Sequence, residues 1–411
     1  MYASKYMNRK ILISTVSVTV IAVVGVSIWF FFFRNTTPAP TTNPTTGLPF
    51  GEGGGNITPN EQTSTINGTI SDSGNKPANK LFQISDSPVA GFLAFSPKKD
   101  APTVIRYVDR ATGHIYDVNP FTLEKIKVTN NTLTKIVEAY FKNDGSAVLM
   151  RSLANGDIVR NISLALVAPK ASSTDALYTV TATELRGNMG DVWVGPNNFL
   201  AYSLIDDNSI STSNFDGTKA TRLFSSPFTD WRVRFDDSAN IVLVTKASAN
   251  VSGFAYNLST KTGSLSKLVG PLNALTLIQS PDGRRFAHSH NSKGQTIFAL
   301  QTVETGEITN ILPATFADKC VWSKKKTNIL YCGTPNSIGA FEPDGWYQGT
   351  SHFSDQIWSF DTVNKIAENL ANPGGNTNIG IDVLNPNLSS NEDYLVFINK
   401  NDLTLWALKL Q

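Results

Sequence analysis

A short strand–turn–strand pattern recurs along the chain from Leu81 to Gln411, and no segment of that region keeps a helical period. The turn of one copy, Ser280–Gly283, reads Ser-Pro-Asp-Gly, in which proline sets φ, aspartate accepts local hydrogen bonds and glycine tolerates positive φ. Strands at such regular spacing predict an all-β sandwich, barrel or propeller. The copies of the pattern are Ala139–Met150, Trp231–Val242, Leu277–His288, Val321–Leu330 and, more loosely, Asn385–Val396.

The repeat length distinguishes among these architectures. About seven units occur at a mean spacing of about 45 residues, which is typical of four-stranded propeller blades. The units begin near residues 88, 135, 187, 228, 274, 316 and 378. A second motif places Thr-Gly between two strands in Arg110–Tyr116, Thr260–Ser266 and Val303–Thr309. A closed ring buries the faces that one blade leaves exposed, so we predict an all-β fold with a single β-propeller over residues 80–411. Seven blades is the predicted number, with six or eight as the alternatives.

The last repeat unit contains too few strands for a complete blade. It offers strands around Gly380–Leu384, Tyr394–Asn399 and Leu403–Leu408, and the sequence ends at Gln411. A blade without its outer strand would present an unpaired edge. We therefore predict that the β-prone segment Leu81–Ile84 pairs with Leu403–Leu408 and closes the ring.

The Ser-Pro-Asp-Gly turn before an apolar strand, together with the Thr-Gly hairpin, resembles the repeats of TolB-like and WD-repeat-like propellers. This resemblance covers Leu81–Gln411 and implies a fold without an activity, because propellers host unrelated functions. The Trp-Asp dipeptide of true WD repeats is absent, since residues 229–231 read Thr-Asp-Trp. The stretches Ile105–Ile115 and Phe353–Trp358 and the whole layout resemble uncharacterised membrane-anchored propeller proteins of candidate-phylum bacteria, which again implies no assigned activity.

Residues 11–33 form an apolar run without charge or proline. A helix of that length, rising about 1.5 Å per residue, reaches about 35 Å and can cross a bilayer. Basic residues precede the run at positions 5, 9 and 10, whereas only Arg34 follows closely, so the N-terminus is expected in the cytoplasm. We predict a signal-anchor with a cytoplasmic tail at 1–10, a transmembrane helix at 11–33 and an extracytoplasmic propeller at the cytoplasmic membrane. The alternatives are a signal peptide cleaved near residues 37–39 and a buried helix of a soluble protein.

Residues 34–79 are rich in Thr, Pro, Gly and Asn and lack the apolar content that offsets the entropy of ordering. They predict a disordered linker, and a flexible coil of about 45 residues spans roughly 35–40 Å. The formal net charge of +2 provides no basic excess, so nucleic acid is not an expected partner. The expected partners are the lipid bilayer, through residues 11–33, and an unknown protein or glycan of the envelope.

The chain has two cysteines, Cys320 and Cys332. A hairpin turn midway between them would place them opposite each other, where a disulfide can form at a non-hydrogen-bonded pair. An oxidising compartment favours that bond. A register shift of one residue would instead leave two buried thiols on opposite faces. A functional thiol would need a histidine partner, and none is near in sequence.

The sequence contains no nucleophile elbow, no zinc-protease motif and no phosphate-binding glycine loop. His288 and His290 lie on one face of a predicted strand, which is the minimum for a metal site. No nearby carboxylate or third histidine completes such a site. We therefore predict no catalytic residues, no metal and no cofactor, and we interpret the two histidines as strand residues that face the channel or solvent.

The longest interruption of the repeat is Gly333–Phe353. By resemblance to other propellers, a loop between the second and third strands of a blade emerges on the face that binds ligands. Aromatic residues among glycine and proline suit a rigid contact surface. The alternative is a loop that folds back and buries its tryptophan over the blade. The candidate ligand-binding residues are Trp346, Tyr347, Glu342, Asp344 and His352.

These observations favour a non-catalytic interaction protein, a propeller displayed outside the membrane that binds a protein or an envelope glycan. The first alternative is a propeller hydrolase or lyase that acts on carbohydrate or peptide, with acids from different blades converging on the channel. A second alternative is a secreted receptor that carries glycans on its Asn-x-Ser/Thr sites. Carboxylates and histidine at the channel mouth would favour the enzyme.

Overall fold

The structure is a computed structural model that describes residue 77 and residues 79–154, 159–170, 177–234, 239–376 and 380–410. The predicted cytoplasmic tail at 1–10, the predicted transmembrane helix at 11–33 and all but the end of the predicted linker lie outside the described residues. Within these ranges, no helix has both the length and the apolar character needed to cross a membrane.

The described residues form seven sheets of four antiparallel strands each. The first strand in the chain is β1, Leu81–Gln83. Blade 1 consists of β2 (Val89–Phe95), β3 (Val104–Asp109), β4 (Ile115–Val118) and β5 (Lys125–Lys127). Blade 2 consists of β6 (Ile136–Phe141), β7 (Ala147–Leu153), β8 (Val159–Val167) and β9 (Thr179–Leu185). Blade 3 consists of β10 (Met189–Val194), β11 (Leu200–Leu204), β12 (Ser209–Ser213) and β13 (Thr221–Ser225).

The remaining blades follow in chain order. Blade 4 consists of β14 (Trp231–Arg234), β15 (Asn240–Thr245), β16 (Ser252–Ser259) and β17 (Leu265–Asn273). Blade 5 consists of β18 (Thr276–Gln279), β19 (Arg285–Ser292), β20 (Gln295–Thr302) and β21 (Ile308–Asn310). Blade 6 consists of β22 (Cys320–Trp322), β23 (Ile329–Pro335), β24 (Asp355–Asp361) and β25 (Ile366–Ala371). Blade 7 contains β26 (Val383–Leu388), β27 (Tyr394–Asn399) and β28 (Leu405–Lys409). The short helices are Ala317–Lys319, which is a 3₁₀ turn, Asp344–Gln348 and Pro373–Asn376.

These sheets form a seven-bladed β-propeller, so the predicted all-β fold and the predicted number of blades are confirmed. The first strands of neighbouring blades contact one another, as β2 does with β6 and with β26, and they form the inner wall of the ring. Each first strand begins one to five residues after the start predicted for its unit. In blade 1 the predicted start is residue 88 and the strand begins at Val89, and in blade 7 the predicted start is residue 378 and the strand begins at Val383. Because adjacent strands are antiparallel, the connections between blades and the loops between second and third strands share one face. We call it the top face.

The ring closes through β1, which is the outer strand of blade 7 in the order β1-β28-β27-β26. Leu81 lies opposite Leu408 and Phe82 lies opposite Ala407. The ladder continues beyond the strand, because the backbone N–H of Ile84 donates to the carbonyl of Leu405 at 2.7 Å. The predicted pairing of the two ends of the propeller is therefore confirmed.

Apolar clusters lie between neighbouring blades and hold the ring together. Between blades 1 and 2, for example, Phe95 and Val108 pack with Phe141 and Met150. Burying one such side chain contributes about 1.5–3 kcal/mol. A corresponding cluster lies between blades 4 and 5, where Val244 packs with Phe286. Each blade is thus stabilised by its two neighbours, as a closed repeat architecture requires.

The two cysteines lie directly opposite each other on β22 and β23. Their Cα atoms are 4.1 Å apart and their sulfurs form a disulfide with an S–S distance of 2.06 Å. Cys320 and Cys332 are both buried within the apolar cluster between blades 5 and 6. The disulfide therefore links the two strands nearest the axis of blade 6.

Candidate functional site at the axis of the ring

The loop between β23 and β24 crosses the top face from blade 6 towards blade 4. Its short helix, Asp344–Gln348, is held by contacts with other blades. Oδ2 of Asp344 accepts a hydrogen bond from the backbone N–H of Ala249, in blade 4, at 2.6 Å. The carbonyl of Ala340 accepts one from Nδ2 of Asn291, in blade 5, at 2.7 Å. The loop is thus a cover over the inner parts of blades 4 to 6.

Trp346 lies beneath this cover and is only 2% exposed. Its Nε1 donates to both carboxylate oxygens of Asp382, at 2.9 and 3.2 Å. Its ring packs against that of Phe316 with centroids 6.0 Å apart. The indole therefore belongs to the packing of the propeller and does not offer a contact surface. This agrees with the alternative interpretation, in which the loop folds back and buries its tryptophan over the blade.

A fully buried charge cluster lies next to the indole. Nζ of Lys319 donates to Oδ2 of Asp355 at 2.6 Å and also donates to Asp382. The ammonium lies 4.9 Å from the centre of the Trp346 ring. Burial raises the pKa of Asp355 to about 6, although the charge of Lys319 opposes the shift. Because all three charged side chains lack exposed surface, this cluster joins blades 6 and 7 and is closed to ligands.

A second charged cluster lies beneath Tyr347, and its members come from several blades. The Tyr347 hydroxyl donates to Oδ2 of Asp318, and the ring lies 5.3 Å from the guanidinium of Arg232. Asp318 also pairs with Arg232 and Arg234, at 3.6 and 3.7 Å. Arg234 in turn lies 3.2 Å from Oδ2 of Asp191. We call Asp191, Arg232, Arg234, Asp318 and Tyr347 the axial cluster.

The local sequence explains how this cluster forms. In β14, Trp231 and Val233 pack into the core between blades 3 and 4. Alternation along a strand therefore places Arg232 and Arg234 on the other face. The backbone N–H of Val233 donates to Asp191, on the first strand of blade 3, at 2.6 Å. Because blades 3, 4 and 6 all contribute, and residues of these blades can meet only near the centre of the ring, the cluster lies at the axis.

The charges of the axial cluster balance one another. Burial alone would raise the pKa of Asp318, but Arg232, Arg234 and the Tyr347 hydroxyl lower it below its ordinary value. Burial and the charge of Asp318 raise the pKa of Tyr347, so its hydroxyl remains a donor. Burial disfavours the charge of Arg232, yet Asp191 and Asp318 raise its pKa and keep it protonated. Two guanidinium groups thus face two carboxylates.

Arg232 is the most exposed charged member of the axial cluster, with 37% of its side chain accessible against 12% for Asp318. Its Nε is buried and has no hydrogen-bond partner among the described residues. The cavity beneath Tyr347 has a volume of only about 10 Å³, well below that of a small-molecule site. Because part of the Arg232 side chain is exposed, its guanidinium can still pair with a carboxylate of a ligand at the axis.

The histidine pair lies away from this cluster. His288 and His290 stack with ring centroids 5.4 Å apart on β19. His288 is 1% exposed, and neither of its ring nitrogens has a partner among the described residues. Burial lowers the pKa of His288 to about 4. The interpretation of His288 as a channel-facing or solvent-facing residue is wrong, because Phe286 on the same strand face packs between blades 4 and 5. Within the described ranges, no group of three or more His, Cys, Asp or Glu residues is placed to hold a metal ion.

The structure brings four of the five candidate ligand-binding residues together. Glu342 accepts a hydrogen bond from the backbone N–H of Trp346 at 3.0 Å, and Asp344 and Tyr347 belong to the same short helix. His352 is exposed. Of the axial cluster, only Tyr347 was predicted from the sequence, and the four charged residues were not. The alternation Trp-Arg-Val-Arg in β14 is the signal that would have pointed to the cluster.

No protein-family model matches the chain, and no curated protein matches it by sequence. Solved structures are similar in fold. The oligogalacturonate lyase of Vibrio parahaemolyticus aligns with a TM-score of 0.54 at 10% identity, over 80% of this chain and 93% of its own. A streptogramin B lyase aligns with a TM-score of 0.50 at 13% identity, over 80% and 97%. TolB of Acinetobacter baumannii aligns with a TM-score of 0.42 at 14% identity, over 67% and 61%.

At these identities the likeness extends to the fold alone. It agrees with the propeller architecture implied by the repeats, and propellers of one shape perform unrelated tasks. The resemblance to membrane-anchored propellers of candidate-phylum bacteria is not supported by these comparisons and stays a prediction.

Proposed function

We propose that this chain is a membrane-anchored, extracytoplasmic β-propeller that binds a protein or glycan of the cell envelope without catalysing a reaction. The axial cluster carries the proposal. Each of its carboxylates is paired with an arginine, and the Tyr347 hydroxyl is engaged with Asp318. A general base or nucleophile must be free to take up a proton or attack a substrate, whereas these groups hold one another in place.

The same cluster favours a ligand with an acidic group. Arg232 keeps more than a third of its side chain exposed, at 37%. A guanidinium at the axis pairs well with a carboxylate because its N–H groups match the two oxygens. The ligand class that fits is therefore an acidic glycan or an acidic peptide segment that reaches the top face beside the loop of Tyr347.

The membrane anchor rests on residues 11–33 and the basic residues before them. Protease added to intact spheroplasts should digest residues 81–411 and spare residues 1–10. Protection of the large domain would contradict the proposed topology, and release into the medium of a chain that begins near residues 37–39 would favour a cleaved signal peptide.

The alternative function is an enzyme that acts on carbohydrate or peptide. Two of the similar structures are described as lyases, one of oligogalacturonate and one of streptogramin B. Oligogalacturonate is therefore a suitable probe, because it is an acidic glycan and because its shortening would reveal turnover.

The test compares Arg232→Gln with Arg160→Gln, a matched change at an exposed arginine of β8 that pairs with Glu184. Binding of oligogalacturonate and of a poly-glutamate peptide would be measured by calorimetry at low and high salt. We expect salt-sensitive binding of at least one probe, lost in Arg232→Gln, kept in Arg160→Gln and without product. Binding of neither probe, or equal binding by both variants, would contradict the proposal. Shortened product from the wild type would establish the enzyme instead.

A further inference from the structure

A cleft of about 570 Å³ separates parts of blades 2 and 3. Its volume lies within the range of about 300–1,000 Å³ that small-molecule sites occupy. On the side of blade 3 it is lined by the turn between β10 and β11, with Asn197 and Asn198, and by the turn between β12 and β13, with Asn214 and Phe215. Both turns lie on the face opposite the top face, so the cleft is separate from the axial cluster.

The cleft forms because one face of blade 2 carries small side chains. Ala147, Ala165 and Thr181 form one row across the sheet, and Ser163 and Thr183 belong to the next row. The opposite face of the same strands carries Leu164, Leu166 and Val180, which fill the space towards blade 1. At this end of the sheet the small side chains leave space towards blade 3, whereas elsewhere on the same face Leu149 and Leu185 pack with Leu200 of blade 3. At the rim of the cleft, Nδ2 of Asn143 donates to the carbonyl of Gly195 at 2.9 Å.

One hydroxyl inside the cleft has no hydrogen-bond partner among the residues that the structure describes. Ser163 is 4% exposed and lines the cleft. No described residue forms a hydrogen bond with its side chain. The hydroxyl is accessible from the cleft, so water or a bound molecule must supply its hydrogen bonds there. The Ser163 hydroxyl is therefore, separately from the size of the cleft, a group that is available to a bound molecule.

The lining disfavours an anionic ligand. Lys142 pairs with Asp144 at 3.1 Å, so its charge is already balanced. Asp216 accepts hydrogen bonds from the backbone and the hydroxyl of Thr218, at 3.0 and 2.6 Å. What remains is a set of hydroxyl and amide groups, which both donate and accept hydrogen bonds. Phe215 is 6% exposed and packs with Leu200 and Tyr202, and the part of its ring that lines the cleft adds an apolar surface that can contact a sugar ring.

We infer that the cleft between blades 2 and 3 binds a neutral oligosaccharide. Sugar hydroxyls both donate and accept, as do the groups that line the cleft, and a pyranose ring has an apolar face for Phe215. A lipid would find too few apolar groups here, and a phosphate or carboxylate would find no unpaired cation among the described residues of the lining.

The experiment uses the full-length chain in a detergent without a sugar headgroup. The probes are maltohexaose, cellohexaose, xylohexaose, mannohexaose and chitohexaose, titrated separately to millimolar concentration. We expect saturable binding of at least one probe. Ser163→Ala and Thr183→Val each remove one hydroxyl without changing the shape of the cleft much, and each should weaken that binding about fivefold.

The control is Thr179→Val, which lies on the same strand and the same face of β9 but outside the cleft. It should leave binding unchanged, and so should Arg232→Gln, so a failure here is distinguishable from a failure of the proposed axial site. The inference is overturned if no probe binds, or if binding survives both hydroxyl substitutions. Binding of a Ser/Thr-rich peptide with no binding of any oligosaccharide would also overturn it.

Discussion

Nζ of Lys319 lies 2.6 Å from Oδ2 of Asp355, and neither side chain has any exposed surface. The same ammonium also pairs with Asp382, so two buried carboxylates share one positive charge. Oδ1 of Asp355 has no partner among the described residues. Burial disfavours the charged carboxylate and the charge of Asp382 adds to this effect, so the pKa of Asp355 is raised to about 6 although Lys319 opposes the shift.

This relationship predicts an effect of pH on stability that Asp355→Asn removes. The pKa of Asp355 is about 6 in the folded protein and about 3.9 in the unfolded chain. The folded state therefore binds more protons between these values, so the stabilisation is complete below about pH 3.9 and is lost as the pH rises through 6. Urea denaturation should show that wild type gains about 2 kcal/mol relative to the variant between about pH 8 and about pH 4.5. Parallel stability curves for the two proteins would contradict the assignment.

His288 predicts an effect of the opposite sign. Its pKa is about 4 in the folded protein and about 6.5 in the unfolded chain, so the unfolded chain binds the extra proton. The stabilisation is therefore present above about pH 6.5 and is lost as the pH falls through 4. Relative to His288→Leu, wild type should lose about 2–3 kcal/mol between about pH 8 and about pH 4.5 in the same urea experiment.

The control for this prediction is His352→Leu, because His352 is exposed on the top-face loop. Its curve should follow that of wild type. If His288→Leu also follows wild type, the imidazole is not held neutral in the core between blades 4 and 5.

The closure of the ring predicts that β1 matters more than an equivalent outer strand. Phe82 and Thr309 are each the middle residue of a three-residue outer strand, β1 and β21, and each lies at a hydrogen-bonded position of its ladder. Proline at either position removes one donor. Phe82→Pro should lower the midpoint of thermal unfolding of the whole propeller more than Thr309→Pro does, because only β1 joins the two ends of the domain.

Alanine at each of the two positions separates the effect of the side chain, since Phe82 also contacts Tyr394 with ring centroids 6.2 Å apart. If the two proline variants lower the midpoint of thermal unfolding equally after this correction, the pairing of β1 with β28 stabilises the propeller no more than another outer-strand pairing does.

The parts of the fold that the sequence predicts correctly depend on local chemistry. Gly113, Gly263 and Gly306 of the Thr-Gly hairpins all have positive φ, at 72°, 68° and 69°. A residue without Cβ is favoured at such positions, so these turns, and with them the blade spacing, can be read from a few neighbouring residues. The pairing of Leu81 with Leu408 was predictable for a different reason, because an open sheet edge is unfavourable.

The candidate site depends on distant residues. Arg232 and Asp318 are far apart in sequence and meet because their blades face the same axis. The burial of Trp346 likewise depends on Asp382, which belongs to the next blade. Residue types and spacing within the loop are compatible with either an exposed or a buried indole, so the outcome is set by the assembled ring.

The last prediction separates the packing role of Trp346 from the role of Tyr347 in the axial cluster. Trp346→Ala removes a buried indole and deprives Asp382 of a donor, so it should lower the free energy of unfolding by about 3–5 kcal/mol. Tyr347→Phe keeps the ring against Arg232 and removes only the hydroxyl that donates to Asp318. It should cost about 1.5–3 kcal/mol because the bond is made to a charged carboxylate, and it should weaken the binding of an acidic probe because Arg232 then pairs more closely with Asp318. Trp346→Phe, which keeps an aromatic ring without the donor, should fall between the two in urea denaturation. If Trp346→Ala unfolds at the same urea concentration as wild type, the indole does not belong to the packing, and the loop Gly333–Phe353 is an independent surface that is free to contact a partner.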